Sequence, residues 1–594
     1  MSPAAGAALA LVVVEALLAL GGARVPALSA AVLVLAPGLA LLPLLPRRFR
    51  ASSLGAVACA PALGFAASSV ALITVARVGI PLGALSARVT VAVIVLAGAL
   101  ALRHRDVPSE APSPLEALAL LLVLTVGSLL IARTIGGSPV PGNDWGKYLL
   151  YIDEIRHQGS LLIRNPFWML GQPFREDPGV PAVLGPFAAM VHAGPATLTH
   201  GIWLFALVPV LSLFGYVRAY WGPLAAVVAA ALWAVLPINQ DMLSWHGLPN
   251  VAALGLIPLL MAYVGAVAST RLAWPEAGGG ALLVVALAAT HRLSFVAAAA
   301  GLGLGLVVLG VRGADRGALV RNLARIAALL VPLGAGVVAD LLARNASSGG
   351  TQPYTAYLST KLDLLGAVLD LTIPFSVAAV LALALLAHRR MREKAILVPV
   401  CLLGALLGLA YAWTVHVPAA YNRMAFYLPL ALVPLVAVVL VRFARPRAAV
   451  ALTVVLVSVV GAFGWTQDDH ARRFYAFTNA ASLRGLDALA QRLRPGEVVA
   501  TDRCWSFLST WLLQTRTLAA LESADIGPPA ELRVARQARG ILDYTPAGRR
   551  TADRLGVRYF VVDPFCSDAP GRPAKPPQGG RLVYLSTRLA IFAR

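Results

Sequence analysis

Apolar runs of about the length of a bilayer crossing recur from residue 5 to residue 465, and nothing constrains this chain more. They fall near 5–22, 27–46, 54–78, 86–102, 114–133, 198–218, 222–238, 250–268, 280–291, 293–312, 325–343, 366–387, 395–413, 425–442 and 447–465. A span needs about 20 mostly apolar residues to cross about 30 Å of hydrocarbon. A helix is the economical way to cross, because it satisfies its own backbone groups. With 59% hydrophobic and 13% charged residues among 594, the sequence lies outside the range of soluble domains. It predicts an α-helical polytopic membrane protein of about 13–15 spans, with the ninth run the shortest.

Arginine and lysine concentrate on the cytoplasmic side of membrane proteins. Arg47, Arg48 and Arg50 follow the second run, Arg103 and Arg105 the fourth, and Arg312, Arg316, Arg321 and Arg325 the tenth. Arg389, Arg390, Arg392 and Lys394 follow the twelfth, and Arg442, Arg445 and Arg447 the fourteenth. All fall on one side if the N-terminus is cytoplasmic and every run spans. The loops 134–196, 239–249, 344–362 and 414–424 and the C-terminal tail then lie outside. This topology explains much of the formal net charge of +21. No basic soluble domain with base-reading elements is visible, so nucleic acid is not an expected partner. No cleavable signal precedes the first run, which is expected to stay as an anchor. The Ala, Leu, Val and Arg excess with four lysines fits a GC-rich bacterial source. The expected location is the cytoplasmic (plasma) membrane.

Beyond residue 466 the pattern changes. Phe474 to Arg494 carries apolar residues at helical spacing and stops at Pro495–Gly496. Glu497 to Thr501 reads as a strand, Trp505 to Leu513 as a helix, Arg549 to Leu555 as a helix and Gly556 to Val562 as a buried strand. Residues 581–593 suit a terminal pair of strands. The segment 466–594 is therefore expected to be an extracytoplasmic α/β domain with its own core. Cys59 and Cys401 sit in spans as small apolar residues. Cys504 and Cys566 both follow predicted strand ends, and an oxidising exterior permits a disulfide between them, although sequence alone does not supply the geometry it requires. No Cys or His cluster has zinc spacing. Walker loops, dinucleotide fingerprints and Gly-x-Ser-x-Gly elbows are absent from the required strand-to-helix contexts.

The long polar interruption at 134–196 is the remaining anomaly. Asp144 opens it within Pro141–Gly142–Asn143–Asp144–Trp145–Gly146–Lys147–Tyr148. Tyr148 to Arg156 is amphipathic and suits a membrane surface, with Asp153 and Glu154 on its polar face. Asn165–Pro166–Phe167–Trp168, Arg175–Glu176–Asp177–Pro178–Gly179 and a short apolar stretch from Val180 to Val191 follow. So many aromatic and apolar residues suit a groove where a lipid-linked molecule meets a water-soluble one.

In the order and spacing of Asp144–Trp145–Gly146–Lys147–Tyr148, Gly159–Ser160 and Asp177–Pro178–Gly179–Val180–Pro181, the chain resembles the GT-C superfamily of membrane glycosyltransferases that use polyprenyl-phosphate sugars. The resemblance extends over 114–465. Residues 1–113 form an extra four-span segment, as in poorly characterised bacterial members. It implies a sugar transferase, of inverting type, acting at the outer membrane face. A lipid-linked sugar would be the donor and a cell-envelope glycan, lipid or protein the acceptor. Such a reaction needs a carboxylate within reach of the acceptor hydroxyl and cations to offset charge on the departing phosphate.

Asp144 takes the position of the family's early loop acid, the expected base; the alternative is a helix N-cap. Glu176 and Asp177 are candidate second acids or metal ligands, or simply the turn before Pro178. A divalent ion, Mg or Mn, would bridge carboxylates and phosphate if one is used. Arg423 stands at the entrance of the fourteenth run, suited to phosphate or to snorkelling at the interface. His291 and Arg292 interrupt an apolar stretch, where charge is costly enough to suggest function; a buried structural hydrogen bond is the alternative. Lys147 would assist beside Asp144. Trp245 and His246 offer a platform for a sugar ring, or an ordinary interfacial aromatic belt. Asp340 is expected to be solvated near the outer end of its span. A transporter or flippase of lipid-linked saccharides, and a non-catalytic envelope-assembly protein of the same fold, are the competing functions.

Overall fold

The structure is a computed structural model that describes residues 2–594 except 104–109, 136–141, 143, 164, 172–176, 193–194, 245–246, 313–314, 347–363, 390–392, 412–420, 476–477, 521–528 and 566–579. Among the described residues, ten helices are long and apolar enough to cross a membrane, and eleven if a bent pair counts as one span. Two of the expected spans are shorter than their apolar runs, Pro26–Ala40 and Ile373–His388, each opening on a proline in its first turn. The run expected over 222–238 becomes the pair Pro223–Val235 and Pro237–Ser244, bent by 46° at Pro237. The ninth run is nevertheless a regular helix, Trp274–Thr290, directly followed by Arg292–Val311.

The helices alternate between two ends. At one end, Arg50 pairs with Glu276 at 2.8 Å and Arg218 with Glu116 at 2.7 Å, all close to helix termini. At the other, Arg77 lies 3.8 Å from Asp340, which is also paired to Arg344. Asp340 is 1% exposed, so the expectation that it would be solvated does not hold. Arg344 donates to the hydroxyl of Tyr151 at 2.7 Å and to the carbonyl of Leu161 at 2.8 Å. A buried charge is retained where its partners are fixed, and here those partners tie the span Arg316–Ala346 to the polar interruption.

That interruption is built around the site helix, Asp144–Gln158, and the re-entry helix, Gly179–Val191. Trp145, Tyr148, Leu149, Tyr151, Ile152 and Ile155 are buried along the site helix at spacings of three and four. They do not lie on a membrane surface as the amphipathic pattern suggested. The re-entry helix and the docking helix, Ser506–Leu513, cover them instead. Contact with the docking helix is close because Gly146 lacks a side chain: a Cβ there would stand 2.6 Å from the amide nitrogen of Leu508. Trp511 Nε1 completes the seam by donating to Asp153 Oδ2 at 2.7 Å.

The docking helix belongs to a five-stranded sheet of order β2-β1-β3-β5-β4. β1 (Val498–Thr501), β2 (Arg516–Ala519) and β3 (Val557–Val562) are parallel, while β4 (Arg581–Leu585) and β5 (Ala590–Ala593) add antiparallel at one side. Sequence reading found every strand except β2 and missed the helix Pro529–Leu542; the helix expected over 474–494 is confined to Ala480–Ala490. Val498, Ala500, Leu518, Ala538, Ile541 and Phe560 fill a small core. The polar interruption closes the free edge of β2, since Thr517 N donates to the carbonyl of Phe167 at 2.8 Å. Trp168 stacks on Phe507 with ring centroids 4.3 Å apart, and its Nε1 donates to Glu531 at 3.0 Å.

Candidate active site

Asp144 occupies the first turn of the site helix, where an acidic residue favours the helix dipole. Its position is half-buried. Burial pushes its carboxyl above the ordinary carboxylate range, and the positive charges of Lys147, Arg423 and Arg503 pull it back. Lys147 lies one turn along the same helix, its Nζ 5.9 Å from the Phe507 ring centroid. Arg423 stands in the 3₁₀ turn Tyr421–Tyr427, which leads into the span helix Leu428–Phe443.

His291 and Arg292 fill the sharp junction between two apolar helices and face this same group of charges. His291 is the N-cap of Arg292–Val311: its Nδ1 accepts from Ser294 N at 3.2 Å and lies 2.7 Å from Ser294 Oγ. Burial lowers its pKa to about 4; Asp177 opposes that shift, while Arg423, Lys147 and Arg292 reinforce it. The imidazole is therefore neutral at pH 7, and acceptance at Nδ1 assigns the proton to Nε2. Ser294 Oγ lies 2.9 Å from the hydroxyl of Tyr427, joining this junction to the turn that carries Arg423.

Asp177, expected as a second acid or metal ligand, is taken up by Arg292. Its carboxylate accepts from Arg292 Nε at 2.7 Å and from Arg292 N at 3.0 Å. Gly179 makes this approach feasible, because a Cβ there would meet Thr290 Oγ1 at 2.7 Å. Among the described residues, no group of three or more His, Cys, Asp or Glu side chains is placed to hold a metal ion. Asp144 lies in the field of three cations, and Asp177 is paired with Arg292. Glu176, Trp245, His246 and Cys566 lie outside the described residues. Cys504 is disulfide-bonded, while Cys59 and Cys401 are free.

Arg503 was not singled out from the sequence. It lies on the turn from β1 to the docking helix, and the fold delivers its charge to Asp144 from a distant part of the chain. A signal existed: ligand sites in open α/β sheets gather at the carboxyl ends of parallel strands, and Thr501–Asp502–Arg503–Cys504 is such an end. Ser294 was missed as well, because only packing between two spans makes it a partner of Tyr427.

By sequence the chain matches no family model and no curated protein. Solved structures do share its architecture. The apo oligosaccharyltransferase of Archaeoglobus fulgidus superposes with a TM-score of 0.53 at 14% identity, over 76% of this chain and 70% of that one. ArnT from Cupriavidus metallidurans, solved bound to undecaprenyl phosphate, gives 0.52 at 15% identity, over 80% of this chain and 97% of its own. Arabinofuranosyltransferase AftD from Mycobacteria gives 0.51 at 17% identity, over 82% of this chain but 40% of AftD. All three are GT-C glycosyltransferases. This protein therefore has the GT-C membrane fold, joined to a C-terminal α/β domain.

Proposed function

We propose that this protein is a glycosyltransferase that moves a sugar from a polyprenyl-phosphate donor to a cell-envelope acceptor at the outer face of the cytoplasmic membrane. One observation carries the reading. Within a GT-C fold, a partly desolvated carboxylate stands among cations where the ends of apolar helices meet a water-soluble domain. The undecaprenyl phosphate bound by ArnT supports a lipid phosphate as the donor's carrier.

In this reaction Asp144 takes the proton from the acceptor hydroxyl as its oxygen attacks the anomeric carbon. The bond from that carbon to the phosphate oxygen breaks, and polyprenyl phosphate leaves with the electron pair. In-line attack inverts the anomeric centre. Burial makes Asp144 a stronger base than a solvated carboxylate. Arg423 and Lys147 offset the charge gathering on the phosphate, and a neutral His291 donates from Nε2. Arg292, fastened to Asp177, holds the junction on which His291 sits. Proton removal and phosphate stabilisation thus both fall to side chains of this chain. Transport is less well supported, because these polar groups gather at one end of the bundle rather than near the midplane.

The test is Asp144→Asn in purified protein reconstituted into vesicles and offered a panel of polyprenyl-phosphate sugars. Loss of a general base should lower turnover by about 10²–10⁴-fold, with undecaprenyl phosphate binding retained. Undiminished transfer by the variant removes Asp144 from the chemistry.

A further inference from the structure

The sheet of the α/β domain has two unlike faces. Side chains of a strand alternate between faces, and Val499 and Val561 belong to the cluster that holds Leu508 of the docking helix and the core of the bundle. Val498, Ala500 and Phe560 pack instead with Ala538 and Ile541 of the helix Pro529–Leu542 and Ala552 of the helix Pro546–Leu555. These two far helices therefore cover the side of the sheet turned away from the bundle. They are locked together where Gly548 meets the carbonyl of Gly540, with no room for a Cβ between them.

The outer surface of this pair is basic. Residues 529–558 hold seven arginines against Glu531, Asp543 and Asp553, a net +4. Two of the three acids are already engaged: Glu531 accepts from Trp168, and Asp553 Oδ1 lies 2.6 Å from Arg594 Nη2. Arg533, Arg536, Arg549, Arg550 and Arg554 are exposed. Among the described residues, no carboxylate lies within ion-pair distance of any of these five.

Helix stability does not explain their placement. Arg533 and Arg536 are neighbours on one helix face, as are Arg550 and Arg554, and like charges at spacings of three and four repel. Arg549 and Arg550 also stand near the N-terminus of their helix, where the dipole favours an acid over a base. Nor does the concentration of cations in cytoplasmic loops account for them, since this domain docks at the end of the bundle opposite Arg50 and Arg218. Charges held against their own repulsion on an exposed surface concentrate a partner of opposite sign.

We propose that this far face binds an acidic glycan chain of the cell envelope, its arginines pairing with carboxylate or phosphate groups along the polymer. The sheet separates the face from the docking helix and hence from the seam beside Asp144, so it tethers the polymer near the enzyme without entering the reaction. A membrane surface fits less well, because the face is turned away from the bundle. The outward position rests on the topology proposed above, whereas binding itself requires neither Asp144 nor sugar transfer.

The experiment uses the full chain in zwitterionic nanodiscs. Fluorescent polygalacturonate and poly(glycerol phosphate) present the two anions; neutral dextran, phosphatidylglycerol vesicles and undecaprenyl phosphate are the comparison probes. An exposed ion contact is worth about 1.4- to 5-fold. Replacing Arg533, Arg536, Arg550 and Arg554 together by Gln should therefore weaken binding of at least one anionic polymer by about 4-fold or more. Added salt should weaken the wild type likewise, the corresponding Lys variant should keep most of the affinity, and undecaprenyl phosphate binding should not change. The polymer that responds identifies carboxylate or phosphate as the group recognised. Polymer binding that survives the Gln substitutions overturns the proposal, as does equal binding of dextran or tighter binding of the phosphatidylglycerol vesicles. If the Gln variant does not fold, wild-type polymer binding that ignores salt overturns it. Failure of an impermeant maleimide to label Gln537→Cys in spheroplasts overturns it too, because the face then lies inside. A wild type that binds acidic polymer yet ignores undecaprenyl phosphate defeats the donor assignment instead and leaves the polymer face standing.

Discussion

Gly146→Ala isolates the dependence of the site on the seam between the site helix and the docking helix. The added Cβ would lie 2.6 Å from Leu508 N and 2.7 Å from both Leu508 Cα and Phe507 C, whereas ordinary contact begins near 3.4 Å. Those three atoms are backbone, so relief requires the docking helix to retreat by about 1 Å, a strain of about 1–3 kcal/mol for overpacking. Intrinsic propensity works the other way, favouring Ala over Gly in a helix by about 1 kcal/mol. The net destabilisation by the substitution is therefore about 0–2 kcal/mol, less than the strain alone. Its principal effect should be to draw Arg503 and Phe507 away from Asp144 and Lys147. A displacement of about 1 Å in a catalytic constellation costs about 10²-fold in rate. Sugar transfer by the reconstituted protein and Trp511 fluorescence, which reports the bond to Asp153, should change together, with at most a modest shift in the melting profile. Wild-type turnover with an unaltered Trp511 signal would refute the claim that this seam positions the site.

Two further outcomes follow from buried charges. Arg344→Met leaves Asp340, among the described residues, with Arg77 at 3.8 Å and strips donors from Tyr151 and Leu161; breaking a buried pair costs about 3–5 kcal/mol. A lower melting temperature in detergent is expected, with partial recovery in Arg344→Met combined with Asp340→Asn, and no shift at all would show the pair to be energetically idle. Burial raises the Asp502 carboxyl from 3.8 to about 7 against opposing backbone hydrogen bonds. Its protonated form is favoured by folding, so this contribution is fully present below pH 3.8 and is lost as pH rises through about 7. The displacement corresponds to at most about 4 kcal/mol. Hydrogen exchange across β1 and β3 should thus quicken between about pH 4 and pH 7 beyond the intrinsic base-catalysed rise, and should do so less in Asp502→Asn; identical pH profiles for the two proteins would contradict it.

What could be read in advance follows the range of the interaction concerned. The spans are legible because hydrocarbon imposes a local length, and the strands Val498–Thr501 and Val557–Val562 because a buried parallel strand is a compact apolar run. β2 has only four residues and begins with the exposed Arg516, too little pattern to separate it from a turn. Asp144 is conspicuous as an acid at the head of an amphipathic stretch. That stretch was misjudged because an apolar helix face specifies that it must be covered and does not specify by what. Here the cover includes a helix whose Trp511 bonds to Asp153 across 358 positions of sequence. Arg503 was invisible for the same reason: in the sequence it is one arginine among 49 basic residues, and its meaning arises only when the α/β domain is seated.

The pairing of Phe167 with the edge of β2, 350 positions away, also bears on biosynthesis. A chain delivered from its N-terminus presents Asp144 early, but the sheet that sets Arg503 in place is finished only by β5, which lies between β3 and β4. The surroundings of Asp144 are consequently incomplete through most of membrane insertion. A ribosome stalled a few residues before Ala590 would leave a threaded bundle in which Asp144 still lacks the charge of Arg503.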